Sequence, residues 1–157
     1  MTALRDMSYK EFGKMKFLDF FPKTDAYQED HEGGLETGIG VACTEGYVDT
    51  MFASLADSKW QTSEIQVSFQ NGDCPETVGN AFLGRLGLGL RKGMTQGEVK
   101  SLLGTPVRTF PSSLGLDFVI GDAWPYYVGC TITERDGLIT VWICRKDLAD
   151  AQAEVES

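Results

Sequence analysis

One stretch of the chain, residues 94–106, carries the signals of a complete short helix. Thr95 and Glu98 have the spacing of a capping box, in which each side chain accepts a hydrogen bond from the other residue's backbone N–H. Gly104 can adopt the left-handed conformation after a helix, and Pro106 has no N–H with which to continue it. The stretch therefore predicts a helix from Gln96 to Leu103 with Thr95 as its cap. Such a helix has only about two turns and must pack on a larger element to persist.

The apolar side chains of this helix form one stripe, made of Val99, Leu102 and Leu103. An earlier segment repeats the same start signal, because Met7, Ser8 and Glu11 have the spacing of a staple residue, a cap and its partner. We expect a second helix there, with an apolar face that includes Phe12 and an end at Pro22. The two helix starts indicate an internal repeat.

The central helix belongs to a longer string, Gly-Leu-Arg-Lys-Gly-Met-Thr-x-x-Glu-Val-x-x-Leu-Leu-Gly-x-Pro, from Gly89 to Pro106. This string resembles the helix motif of the small outer-membrane assembly lipoproteins of the SmpA/BamE type. It is also similar to the wider superfamily that shares the fold of the β-lactamase inhibitor proteins. With the strands expected after it, the resemblance extends from Leu88 to roughly Arg145. It implies a helical segment followed by antiparallel strands, in a sheet that binds another protein.

Composition limits the partners of the chain. The 157 residues suit a single domain, and the net charge of −9 disfavours binding to nucleic acid or to an anionic membrane and favours a basic protein. The chain has no apolar run of membrane-spanning length and no signal peptide pattern, so we expect a cytoplasmic protein. This departs from the assembly lipoproteins, which need a signal sequence and a lipidated cysteine. The cysteines have no Cys-x-x-Cys spacing, which predicts free thiols at Cys43, Cys74, Cys130 and Cys144.

In the first half, the polar and acidic residues 23–36 predict a loop. A hairpin follows, in which alternation pairs Ile39 with Phe52, Val41 with Thr50 and Cys43 with Val48. Alternation at Ile65, Val67 and Phe69 predicts another strand. Residues 74–91 are rich in glycine and predict an irregular connection.

In the second half, alternation predicts a strand over 116–120 and a hairpin made of residues 126–134 and 138–144. The hairpin turns at Asp136-Gly137, a preferred type I′ pair, which sets Glu134 against Ile139, Ile132 against Val141 and Cys130 against Ile143. That face is apolar and predicts the core. The opposite face carries Thr131, Thr133, Thr140 and Trp142.

Together these patterns predict an α+β fold, with short helices packed on an antiparallel sheet and two α-β-β units in tandem. We expect residues 1–157 to form one domain, with halves at 7–72 and 88–146 joined by a glycine-rich connection at 73–87. Residues 147–157 form a short tail.

The sequence offers no catalytic or metal-binding motif. The single histidine, His31, has no nucleophile motif near it. The acidic residues around it lack the spacing of an EF-hand and the paired histidines of zinc sites, so we predict no metal and no cofactor. Gly87, Gly89 and Gly93 miss the spacing of a dinucleotide-binding loop. A hydrolase that uses a pair of carboxylates stays open as an alternative, because an acidic chain has many such pairs.

The leading hypothesis is a cytoplasmic, non-enzymatic protein-binding domain. Its most specific form is an immunity-like inhibitor of a basic protein toxin, which the acidic charge and the inhibitor-like motif favour. An envelope-assembly homologue of the lipoprotein type is the alternative within the resemblance. An aromatic residue on an exposed sheet face is a typical binding anchor, so Trp142 is the first candidate for partner binding. The other candidates are Thr131, Thr133, Thr140 and the acidic residues Asp25, Glu29, Asp30 and Glu32.

Overall fold

The computed structural model describes residues 2–15, 27–32, 38–43, 46–54, 62–70 and 74–156, with side chains at 2–15, 64–70 and 74–154. After a single 3-10 turn at Leu4–Asp6, the described helices are α1 (Tyr9–Lys14), α2 (Glu76–Arg85), α3 (Gln96–Leu103) and α4 (Lys146–Glu156). The described strands are β1 (Tyr27–Glu32), β2 (Gly38–Cys43), β3 (Gly46–Ser54), β4 (Thr62–Ser68), β5 (Arg108–Phe110), β6 (Gly115–Ile120), β7 (Tyr126–Thr133) and β8 (Gly137–Arg145). The fold is therefore α+β.

Helix α3 has the predicted bounds and the predicted cap. The Glu98 N–H donates to Thr95 Oγ1 at 3.2 Å, and the Thr95 N–H donates to Glu98 Oε1 at 3.2 Å. Its C-terminal signal is different from the prediction, because Gly104 has φ 91° and ψ −148°, which is outside the left-handed helical region and open essentially to glycine alone. The apolar stripe of this helix that packs on the core is also narrower than predicted. Val99 is fully buried, but Leu102 is 44% exposed.

Helix α1 begins with the second predicted capping box, in which the Glu11 N–H donates to Ser8 Oγ at 3.1 Å. It ends at Lys14 rather than at Pro22, because the backbone of Met15 is extended. Gly13 in its last turn lowers its helix propensity by about 1 kcal/mol relative to alanine. Residues 16–22, over which we expected this helix to continue, lie outside the described residues.

Two predicted loops contain regular structure. Tyr27–Glu32 forms β1, an edge strand that pairs with β2, so the loop predicted over 23–36 is wrong there. Edge strands tolerate charged residues because one side of their backbone faces no partner strand, and long-range pairing outweighs local propensity. The irregular connection predicted over 74–91 is wrong at α2. Gly79 suits this helix because a Cβ there would overlap the ring of Phe69.

All eight described strands join one sheet in the order β1-β2-β3-β4-β8-β7-β6-β5, and every neighbouring pair is antiparallel. Strands β1 to β4 follow α1 as a meander, and β5 to β8 follow α3 as another meander. The two meanders join through their last strands, β4 and β8, which pair with each other. The described chain therefore repeats a helix followed by four strands, whereas the sequence predicted a helix followed by two.

Both hairpin registers differ from the predictions, the first because of an irregularity at Gly40/Val41 and the second because its connection is longer than predicted. In the first hairpin Ile39 pairs with Phe52 as predicted, but beyond an irregularity Val41 pairs with Val48 and Cys43 with Gly46. In the second, Thr133 pairs with Gly137, so residues 134–136 form a three-residue connection rather than a two-residue turn. Gly137 has φ 70°, which suits the glycine position of such a connection.

The core lies on one face of the sheet, here called the first face. Helices α1, α2 and α3 pack there, and the Tyr126 hydroxyl donates to the carbonyl of Met7 at 2.8 Å. Its members on strands are Ile65, Val67, Leu116, Phe118, Ile120, Tyr126, Val128, Cys130, Ile132, Leu138, Val141 and Ile143, and its members on helices are Phe12, Val78, Phe82, Leu83 and Val99. Alternate residues of these strands point to the opposite side.

Candidate interaction face

The side of the sheet opposite the core, here called the second face, carries rows of cross-strand neighbours. The central row crosses five strands and consists of Gln66, Trp142, Gly129, Asp117 and Arg108. One flanking row consists of Glu64, Cys144, Tyr127 and Val119. The other consists of Ser68, Thr140, Thr131, Gly115 and Phe110. Cross-strand neighbours on one face contact each other, so the side chain of one member of a row constrains the position of the next.

Trp142 lies at the middle of this face and is half-buried. Its Nε1–H donates to Glu64 Oε2 at 3.0 Å, which fixes the edge of the indole over β4. On its other side the indole lies against Gly129, where a Cβ would come within 3.1 Å of Trp142 Cε3. The absence of a side chain at Gly129 therefore leaves the space that the indole needs. A large aromatic group is held in place on this face while part of it stays accessible.

Asp117 is a charged member of the central row, two positions along it from Trp142, and is only 8% exposed. Its Oδ2 forms an ion pair with Nη2 of Arg108 at 3.2 Å. Burial raises the pKa of the Asp117 carboxyl, and the charge of Arg108 opposes that rise. The other oxygen, Oδ1, lies over Gly129, where a Cβ would come within 2.9 Å of it. Within the described residues, the ion pair to Arg108 is the polar contact of this carboxylate.

Helix α4 meets one end of the second face through Tyr127. The Tyr127 hydroxyl donates to Asp150 Oδ1 at 2.6 Å, and Lys146 Nζ donates to Asp150 Oδ2 at 2.7 Å. The hydrogen bond to Asp150 raises the pKa of Tyr127, and the hydrogen bond from Lys146 lowers the pKa of Asp150. The guanidinium of Arg108 also lies over the Tyr127 ring, 4.5 Å from its centre. These contacts attach α4 to the sheet beside Trp142.

The structure brings together three of the four predicted sheet residues. Thr131 and Thr140 pair with each other in the row beside Trp142, and both are half-buried. Thr133 lies at the end of the hairpin, where its Oγ1 accepts a hydrogen bond from the Asp136 N–H at 2.9 Å and stabilises the turn. From Tyr126 to Thr131 the observed register differs from the predicted one by two residues, and a shift of two keeps these side chains on their face.

The acidic residues fall elsewhere in the sheet. Glu29, Asp30 and Glu32 lie on β1, with His31, and Asp25 lies outside the described residues. In the strand order, β2, β3 and β4 separate β1 from β8. At the usual spacing between strands, β1 is roughly 19 Å from β8. The acidic set and Trp142 therefore do not form one compact site.

Sequence reasoning missed four residues that define the surroundings of Trp142. Glu64, Gly129, Asp117 and Arg108 come from four different strands, so only the strand order places them together. One local signal was present, because Asp117 interrupts the apolar run Leu116–Ile120 at a position that alternates away from the core. A buried carboxyl in such a run indicates a polar partner across the sheet.

A cleft of about 610 Å³ opens beyond the Thr133 end of the hairpin. Leu114 lies at its edge, is 50% exposed and has φ 59°, which is uncommon for a residue with a side chain. The lining residues are Gly93, Thr95, Gln96, Leu114, Ile132, Thr133, Glu134, Arg135, Asp136 and Gly137.

Cys74, Cys130 and Cys144 are buried cysteines in the thiol form, and burial raises the pKa of Cys130 and of Cys144 to about 12. The side chain of Cys43 is outside the described set. Among the residues that the structure describes, no group of three or more His, Cys, Asp or Glu side chains is arranged to hold a metal ion. In the same part of the chain, no helix combines the length and apolar character needed to span a bilayer.

Comparison with protein-family models, with curated proteins and with solved structures finds no match to this chain.

Proposed function

We propose that this chain is a non-enzymatic protein-binding domain that contacts its partner through the second face. The observation that carries the proposal is the position of Trp142, which is half-buried at the middle of that face and oriented by Glu64. Binding energy in protein interfaces concentrates on a few large side chains, with tryptophan prominent among them. Half-buried threonines beside Trp142 offer hydroxyl groups around such an anchor.

The chemistry of the partner follows from charge. The chain carries a net charge of −9, which accelerates association with a basic protein and slows association with an acidic one. The most specific form of the proposal is a cytoplasmic, immunity-like inhibitor of a basic protein toxin. The resemblance of residues 89–106 to the helix motif of the superfamily that includes the β-lactamase inhibitor proteins supports this form.

The test uses the protein encoded by the neighbouring reading frame, because an immunity protein is normally encoded beside its toxin. Isothermal titration of that protein with the full chain should give a complex that weakens as salt is raised. Trp142→Ala should raise Kd by about 30-fold, which corresponds to about 2 kcal/mol.

Trp124→Ala is the matched control, because Trp124 is 43% exposed and packs on Tyr9 of α1, away from the second face. It should leave Kd unchanged. Equal Kd values for Trp142→Ala and the wild-type chain would show that the second face is not the interface. No binding of the neighbouring protein would overturn the immunity-like form.

A further inference from the structure

We infer that the second face has a binding position for an arginine side chain of the partner, formed by the outer surface of Trp142 and the carboxylates of Glu64 and Asp117. This inference rests on the proposed function and specifies the partner's chemistry. Its basis is a recurring arrangement within the described residues, in which a guanidinium stacks on an aromatic ring and pairs with a carboxylate.

Two arginines of the chain already show this arrangement. Arg108 lies 4.5 Å from the centre of the Tyr127 ring and pairs with Asp117 at 3.2 Å. Arg145 lies 4.2 Å from the centre of the Tyr9 ring and pairs with Asp147 at 2.6 Å. Stacking and ion pairing act together because a guanidinium is planar and keeps its donors in the plane of the stack.

Trp142 has the carboxylates of this arrangement but no cation among the described residues. Glu64 Oε2 accepts its Nε1–H at 3.0 Å, and on the other side Asp117 Oδ1 and Trp142 Cε3 lie 2.9 Å and 3.1 Å from the position that a Cβ at Gly129 would occupy. The indole is therefore placed between two carboxylates, and tryptophan is the aromatic side chain that binds cations most strongly. A cation on its outer surface would gain from the ring and from both carboxylates.

The charge of Asp117 supports the same position. This carboxyl is 8% exposed, and its partner Arg108 is half-exposed at the edge strand β5 and contacts Oδ2. A buried carboxylate is destabilised by loss of solvent unless it is fully paired. A second cation from a partner, near Oδ1, would complete the pairing, and arginine fits better than lysine because it can stack and donate at once.

The experiment measures the indole 15N–1H signal of Trp142 in the full chain, assigned by its loss in Trp142→Phe. The probe is N-acetyl-arginine methylamide at constant ionic strength, compared with the uncharged analogue N-acetyl-citrulline methylamide. We expect a saturable shift of this signal with the arginine probe and affinity at least about tenfold lower with the citrulline probe, because only the guanidinium carries the charge.

Two charge-removing variants test the carboxylates. Asp117→Asn and Glu64→Gln should each weaken binding of the arginine probe by about fivefold or more, as loss of a charged partner predicts. Glu64→Gln leaves Arg108 and Asp117 intact, so it stays informative if Asp117→Asn disturbs their ion pair. The control is Asp136→Asn, which removes the same charge from an exposed turn and should change nothing.

Three results would overturn the inference: no saturable shift of the Trp142 signal, equal shifts with both probes, or equal effects of Asp117→Asn and Asp136→Asn. The proposed function is tested separately. A neighbouring protein that binds through Trp142 but is insensitive to Asp117→Asn and Glu64→Gln would retain the protein-binding role and exclude the arginine position.

Discussion

Gly129 is the position on the central row without a side chain, and the side chains on both sides of it use the space it leaves. A Cβ there would lie 2.9 Å from Asp117 Oδ1 and 3.1 Å from Trp142 Cε3, and both distances are shorter than ordinary van der Waals contact. Glycine is needed at position 129 because neighbouring side chains approach it closely, and not because the backbone there has a conformation that only glycine adopts. The orientation of Trp142 therefore depends on an absent side chain as well as on its hydrogen bond to Glu64.

Gly129→Ala should lower the free energy of unfolding by about 1–3 kcal/mol, because the added methyl group forces Asp117 or Trp142 to move. Urea denaturation measures this change. The control is Gly84→Ala in α2, where a Cβ would meet nothing within 4 Å. That substitution should raise stability by about 0.5–1 kcal/mol, since alanine favours helix. An equal effect of both substitutions would contradict the packing described at Gly129.

Buried thiols give the fold a dependence on alkaline pH. Burial raises the pKa of Cys144 from 9.0 to about 12, so between these values the unfolded chain ionises at this thiol and the folded chain does not. The folded state then binds more protons, and stability falls as pH rises. Well below pH 9.0 both states keep the thiol neutral and this dependence vanishes.

Cys144→Ala should therefore flatten the loss of stability with rising alkaline pH, by up to about 1.4 kcal/mol per pH unit. Urea denaturation of the wild-type chain and the variant between pH 8 and about 11 measures the two slopes. Groups other than Cys144 contribute equally to both proteins. Identical slopes would mean that Cys144 ionises as readily in the folded chain as in the unfolded one.

Among the helices and strands, the sequence predicted best those features that residues close together along the chain determine. Both capping boxes and the bounds of α3 depend on residues three positions apart, and both are present in the structure. Strand β1 and helix α2 were missed because long-range contacts stabilise them, in β1 by pairing with β2 and in α2 by packing that includes Gly79. The register of the first hairpin failed at a bulge and that of the second at a longer turn, and a regular alternation of apolar residues reveals neither.

Thr95→Ala should lower the free energy of unfolding by about 1 kcal/mol, because the Glu98 N–H loses its acceptor at the start of α3. Chemical denaturation measures this loss. Thr95→Ser keeps the acceptor and should retain most of the stability. A loss equally large in Thr95→Ser would show that the methyl group of Thr95, and not its hydroxyl, is responsible.

The candidate site depends on how the two meanders of the sheet join. Antiparallel pairing of β4 with β8 places Glu64 beside Trp142, and the order β8-β7-β6-β5 then places Asp117 and Arg108 in line with it. No local pattern specifies that order, so the sequence could identify Trp142 as a candidate but not its neighbours. The first face contains the core, which leaves the second face to present these residues.

The structure places Trp142 on a surface of the fold rather than in its core, and the unfolding free energy of Trp142→Ala tests this placement. Phe118→Ala provides the comparison, because Phe118 is fully buried on the first face and should lose about 3–5 kcal/mol. We expect Trp142→Ala to lose less than about 2 kcal/mol, since a half-buried side chain removes less apolar area from water. A loss as large as that of Phe118→Ala would mean that Trp142 belongs to the core and that the partner binds elsewhere.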